Sequence, residues 1–319
     1  MNTCALVSRR YSLIAVLCLL ASACGGSGGG SAPVAISNPP PPVPPPVSPP
    51  GNVNVSNPVL SSFDNSPIGP GGTLNLVWSD EFDGTRLDPE TWYFETGDGS
   101  QYGIPGWGNN ELEYYLPDSA ELDNGVLRIT ARRELQGGYS FTSARINTRD
   151  RVAFRYGRIE ARMRLPGGQG LWPAFWLLPQ DNAYGTWAAS GEIDVMEAVN
   201  LGGSGGNSVV GTLHYGGQWP NNVFTGNDYV VPSSATDEFH TYALEWDVDQ
   251  MRWYVDGVLY GMQNSWYTSA AAFPAPFDQR FYILFNVAVG GNFPGAPDAS
   301  TVFPVTMEVD YVRVYSGAP

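Results

Sequence analysis

Lysine is absent from this 319-residue chain, so all 16 basic residues are arginine, and 31 acidic residues leave a formal net charge of −15. A surface so poor in cations is ill suited to the phosphates of nucleic acid or to an anionic bilayer, and it fits an uncharged partner. Cysteine is scarce as well: Cys4, Cys18 and Cys24 are the only three, all in the first twenty-four residues. The folded part therefore has no disulfide. Histidine occurs twice, at His214 and His240. No repeat of fixed period is visible, and no segment sustains a long helical period. The apolar run from Leu13 to Leu20 is too short to span a bilayer comfortably as a permanent helix.

What is plentiful is glycine (38), proline (27) and aromatic residues (13%), the composition of a turn-rich all-β protein presenting many flat rings. Apolar residues make up 43% of the chain, ample for a sizeable core.

The start reads as an export signal over residues 1–24: Arg9 and Arg10, the apolar run, then Ala21-Ser22-Ala23-Cys24. That ending resembles a bacterial lipoprotein box, which implies a lipid on Cys24 as the sole link to a membrane and an outer-membrane or cell-surface location. Cleavage after the Ala-x-Ala pattern, giving a free secreted or periplasmic protein, is the alternative. Residues 25–57 change to Gly/Ser and then to runs such as Pro39-Pro40-Pro41-Pro42. This is a spacer, flexible first and then semi-rigid, able to hold a domain over residues 58–319 clear of a surface.

Within that domain short alternating runs dominate. Gly157 to Leu165 puts Arg158, Glu160, Arg162 and Arg164 on one face and Ile159, Ala161, Met163 and Leu165 on the other, the mark of a half-buried strand. The spacing predicts further strands over Val126 to Ala131, Val209 to Tyr215, Phe239 to Trp246, Phe281 to Val289 and Met307 to Tyr315. Trp253 to Tyr260 reads as a hairpin turning at Asp256-Gly257. Asp88-Pro89-Glu90 starts a short helical turn. Trp246, Trp253 and His240 are expected in packing roles. The fold class is all-β: a two-sheet antiparallel β-sandwich, a jelly roll of the concanavalin A-like kind.

The segment Gly191-Glu192-Ile193-Asp194-Val195-Met196-Glu197 threads three carboxylates through apolar residues. Strand alternation places Glu192 and Asp194 on one face and Glu197 on the other. One bulged residue near Val195-Met196 would return Glu197 to the carboxylate face and send the apolar side chains inward. The two Glu α-carbons would then lie ~13 Å apart. Long side chains leaning inward could close the carboxyl gap to the ~5–5.5 Å used by retaining glycosidases. The shorter Asp194 sits between them, where it can tune their charge. A solvated acidic strand face is the plain alternative, and the flanks decide against it.

Gly170-Leu171-Trp172-Pro173-Ala174-Phe175-Trp176-Leu177-Leu178-Pro179 followed by Ala189 to Asn200 resembles the laminarinase branch of glycoside hydrolase family sixteen. The resemblance extends through Trp78 to Phe82, Gly106 to Tyr115, Thr212 to Gly217, Asn286 to Gly291 and Val309 to Tyr315, in this order. It implies an endo-acting, retaining β-1,3-glucanase acting on laminarin-type polysaccharide as a monomer, with no cofactor for catalysis. Glu192 would be the nucleophile, Glu197 the acid and base, and Asp194 an assisting group. His214 would bond Asp194 or substrate. Trp172, Trp176 and Trp187 are candidate sugar-stacking platforms, with Asn109 and Glu113 as hydrogen-bonding groups. Many members of the family carry a structural Ca²⁺ on the convex side, and Glu81, the Gly125 carbonyl and Asp310 match its ligand positions. A relative cutting mixed-linkage β-glucan or a marine galactan, and a non-catalytic glucan-binding module, are the competing readings.

Overall fold

The computed structural model describes residues 61–68 and 72–317. The expected export signal, the spacer and Cys24 lie outside the described residues. Among those described, no helix is long and apolar enough to cross a membrane.

Two large sheets, of nine and eight strands, face each other. The first carries, in order, Ser61–Asp64, Val152–Arg155, Phe281–Val289, Leu171–Pro179, Glu192–Glu197, Ser208–Gly216 and Asn222–Val230. The second runs Val258–Gln263, Met251–Val255, His240–Trp246, Gly157–Arg164, Val305–Gly317, Val126–Ala131 and Ala120–Asp123. The long Val305–Gly317 strand pairs along one edge with Gly157–Arg164, and along the other first with Val126–Ala131 and then with Leu74–Asp80. Between the sheets lies a core of alternate side chains, among them Leu127, Ile159, Phe175, Ile193, Trp246, Trp253, Phe285 and Val314. The expected sandwich and its main strands are present with small differences at their ends.

Local chemistry explains the connections. Asp256 and Gly257 both adopt positive φ, 49° and 76°, as a tight hairpin between Met251–Val255 and Val258–Gln263 requires. At Asp88 the carboxylate accepts from the Glu90 N–H at 3.0 Å and the carbonyl from the Trp92 N–H at 2.8 Å, one capped turn without a following helix. His240 is buried, with Nδ1 2.6 Å from Asp256 Oδ2 and Nε2 3.3 Å from the Ser233 hydroxyl.

Phe281–Val289 is buried at all nine positions. One face joins the main core; on the other, Tyr282 and Leu284 pack with Ala153 against Trp176 and Leu178.

Candidate active site

Glu192–Glu197 lies between Leu171–Pro179 and Ser208–Gly216. On one side Phe175 pairs with Met196 and Trp176 with Asp194, leaving Val195 without a partner; on the other, Val195 and Met196 together face the single residue Gly211. This is the bulge that the carboxylate spacing calls for. Val195 and Met196 are both buried in the core, while the side chains of Glu192 and Glu197 stay partly exposed. A regular register would have turned Glu197 inward.

Each glutamate is held by an indole. Trp187 Nε1 donates to Glu192 Oε2 at 2.8 Å, and Trp172 Nε1 donates to Glu197 Oε1 at 2.8 Å. His214 lies opposite Glu192 in the ladder, with Nε2 3.2 Å from Asp194 Oδ2 and 3.5 Å from Glu192 Oε1. Its ring sits between those of Trp187 and Phe224, 5.7 Å from each.

Burial is the main cause of the shifts of the two glutamates. It pushes Glu192 up to about 7, helped by the negative charge of Asp194. Burial and then Asp194 raise Glu197 well above the usual carboxylate range. For His214 burial opposes the positive charge, but Glu192, Asp194 and Glu197 outweigh it and lift the group to about 10. A protonated His214 in turn favours the ionised forms of both glutamates. Two coupled carboxyl groups on one strand face, both raised by burial, can share protons as an acid–base pair.

Trp187 is 38% exposed and Trp172 half-buried, so both can offer ring surface to a ligand. Trp176 shares the face of Trp172 and is also half-buried. Its Nε1 donates to Asn286 Oδ1 at 2.8 Å, Asn286 Nδ2 to the Tyr115 hydroxyl at 3.1 Å, and that hydroxyl to Glu111 Oε2 at 3.1 Å. The guanidinium of Arg145 stacks 4.7 Å from the Trp176 ring and pairs with Glu95.

Glu113 requires a correction. It is fully buried and accepts the Val289 N–H at Oε2, at 2.6 Å, instead of facing a ligand. Burial, and then the adjacent Glu111, raise its pKa well above the ordinary value. Asn109 is half-buried, and its amide donates to Glu111 Oε1 at 3.2 Å. Sequence reasoning missed Glu111, Tyr115, Asn286 and Phe224. The alternation Glu111, Glu113, Tyr115 was a usable signal that one face of this segment is polar, and Asn286 opens one of the family-like segments; nothing local marked Phe224.

Among the described residues, Glu192, Asp194 and His214 form the one group of three metal-ligating side chains, with ligand atoms within 4.8 Å of one another. The positions matched to calcium are elsewhere. Glu81 follows Asp80, which pairs with Val312, and Gly125 precedes Val126–Ala131, whose Leu127 pairs with Val309, so the backbone brings both near Asp310. Their carboxylates are engaged, however. Arg313 grips both oxygens of Glu81 at 2.9 and 2.7 Å, and Arg162 lies 2.7 Å from Asp310. An ion there competes with Arg313 for Glu81 and with Arg162 for one oxygen of Asp310.

A sandwich with paired glutamates on one strand face, each tied to a tryptophan beside a row of exposed rings, defines the class of β-sandwich glycosidases. The model of "Glycosyl hydrolases family 16" matches residues 109–312, and the chain belongs to that family. It is 44% identical over 289 residues to glucan endo-1,3-beta-glucosidase A1 of Niallia circulans, a match covering 83% of this chain and 42% of that protein. The chain thus spans about two fifths of that relative's length. Among solved structures it is similar to the laminarinase catalytic domain of Thermotoga maritima (TM-score 0.69, 39% identity, 77% of this chain and 99% of that one). The endo-beta-1,3-glucanase of Pyrococcus furiosus is comparable (TM-score 0.70, 38% identity, 80% and 98%).

Proposed function

We propose that the chain cleaves internal bonds of laminarin-type β-1,3-glucan with retention of anomeric configuration. The observation that carries this reading is the pair Glu192 and Glu197, turned to one face by the bulge and each held by an indole N–H. Ionised Glu192 attacks the anomeric carbon as the glycosidic C–O bond breaks, and protonated Glu197 gives its proton to the departing oxygen. Glu197, now a carboxylate, takes a proton from water; the water oxygen attacks the anomeric carbon and the ester to Glu192 breaks. Charged His214, with Asp194, balances the negative charge that moves between the glutamates. Trp172 and Trp187 fix the two carboxyl groups and offer ring faces to the sugars.

A neutral glucan suits a chain of net charge −15. Arg145, the guanidinium stacked on Trp176, is itself paired with Glu95. The named relatives favour the same substrate. The test incubates the purified chain and its Glu192→Ser form with laminarin, mixed-linkage β-glucan and agarose, followed by chromatography. Oligosaccharides from laminarin that vanish in the variant support both substrate and nucleophile. Activity on agarose alone keeps the mechanism and rejects the substrate; binding without cleavage rejects the enzyme.

Three finer proposals stand beside this one. The Ala21-Ser22-Ala23-Cys24 pattern supports export as an outer-membrane or cell-surface lipoprotein, tested by fatty-acid labelling that Cys24→Ala should abolish; an unlabelled, released protein favours free secretion. A monomer is expected by light scattering. Calcium at Glu81, Gly125 and Asp310 is tested by adding the ion to chelator-treated protein: a higher melting temperature supports it, and no change rejects it.

A further inference from the structure

The bulge that brings Glu197 to the reactive face has a partner in the opposite sheet. Trp253, on Met251–Val255, is fully buried, and its Nε1 donates at 2.9 Å to the carbonyl oxygen of Asp194, the residue immediately before Val195 and Met196. The indole reaches this carbonyl over Gly211, the residue that faces the bulge. A Cβ at Gly211 would come within 2.2 Å of Trp253 Cδ1 and 2.5 Å of Nε1. The glycine therefore leaves the space through which the ring crosses the sandwich.

We propose that Trp253 is a positioning residue for the reaction: its indole N–H holds the Asp194 carbonyl and so keeps the strand in the bulged register that presents Glu197. Without this donor the carbonyl points into an apolar core with a lost partner. The regular register, which sends Glu197 inward, then becomes a competitor. A phenylalanine would fill much of the same core but could not hold the carbonyl. The inference rests on the reading of Glu197 as the acid.

That dependence supplies the test. A glucan oligosaccharide leaves as a poor leaving group and needs Glu197 to protonate it, whereas a 2,4-dinitrophenyl glycoside leaves without help. The ratio kcat/KM reports this first bond-breaking step for both. Trp253→Phe is expected to lose about 10- to 100-fold on the oligosaccharide and less than about threefold on the dinitrophenyl β-laminaribioside. Its kcat/KM profile should also lose definition of the alkaline limb set by Glu197. A merely structural tryptophan would lower both substrates equally, with no change in profile shape. Equal losses, or none, overturn the proposal.

Glu197→Gln is the control. If it shows the leaving-group split and the Trp253 variant does not, the positioning role fails while the mechanism stands. If it shows no split, the acid assignment itself falls. Should Trp253→Phe fail to fold, replacement of Trp253 by 3-benzothienylalanine keeps the ring and removes only the N–H; the same split is expected, and its absence rejects the role of the hydrogen bond.

Discussion

Trp172 donates its indole N–H to Glu197 at 2.8 Å, from the strand that pairs Ala174 directly with Glu197. This bond favours the ionised carboxylate and partly offsets the burial that raises its pKa. Trp172→Phe is therefore expected to move the alkaline limb of kcat/KM to higher pH and to lower its maximum about tenfold. A pH–rate profile checks both; an unshifted limb would show that Trp172 serves only as a platform.

His214 acts on both glutamates with the same sign. In the unmodified protein, activity should rise as pH climbs through the Glu192 value of about 7 and fall as Glu197, itself raised by burial, loses its proton, each limb belonging to the coupled pair. His214→Asn removes a positive charge that favours ionisation of both carboxyls. Both limbs are expected to move to higher pH. A shift of one limb alone, or a shift downward, would contradict the charge-balancing role.

Glu192 is also a cost to folding. Its pKa rises from 4.5 to about 7 in the folded protein, so the native state binds its proton more tightly than the unfolded chain. The resulting destabilisation is absent below 4.5, grows as pH rises, and is complete above about 7. Glu192→Gln should relieve on the order of 3 kcal/mol at pH 8, seen as a melting temperature higher by several degrees. The gain should vanish at pH 4, while activity is lost at every pH.

Phe224 is 56% exposed, with its ring 5.7 Å from that of His214. It prolongs the row of rings that begins at Trp187, in a place suited to a sugar face. Phe224→Ala is expected to raise KM for laminari-oligosaccharides about fivefold and to leave kcat nearly unchanged. A fall in kcat at constant KM would mean that the ring supports His214 instead.

The bulge at Val195 was legible in the sequence because three carboxylates at this spacing cannot share one face of a regular strand. The sandwich was legible too, since period-two alternation marks each strand without reference to its neighbours. Glu113 was misplaced for the converse reason: Glu-Leu-Glu-Tyr-Tyr announces a polar face, but not which buried strand that face will meet. Only the folding of this segment over Val289 decides it. Trp253 was read as core, and it is, yet the hydrogen bond to Asp194 depends on a contact between sheets 59 residues apart in sequence, which no local pattern encodes.

Val305–Gly317 lies in the interior of its sheet although it comes last of all the described strands. Its bonds to Leu74–Asp80 join the two ends of the described chain. Until a ribosome has passed Gly317, Gly157–Arg164 and Val126–Ala131 lack the strand that lies between them, and both expose unpaired backbone edges. A nascent chain of this topology stays open until the strand ending at Gly317 has emerged, which prolongs the interval in which it is pliable enough to be threaded and vulnerable enough to need shielding.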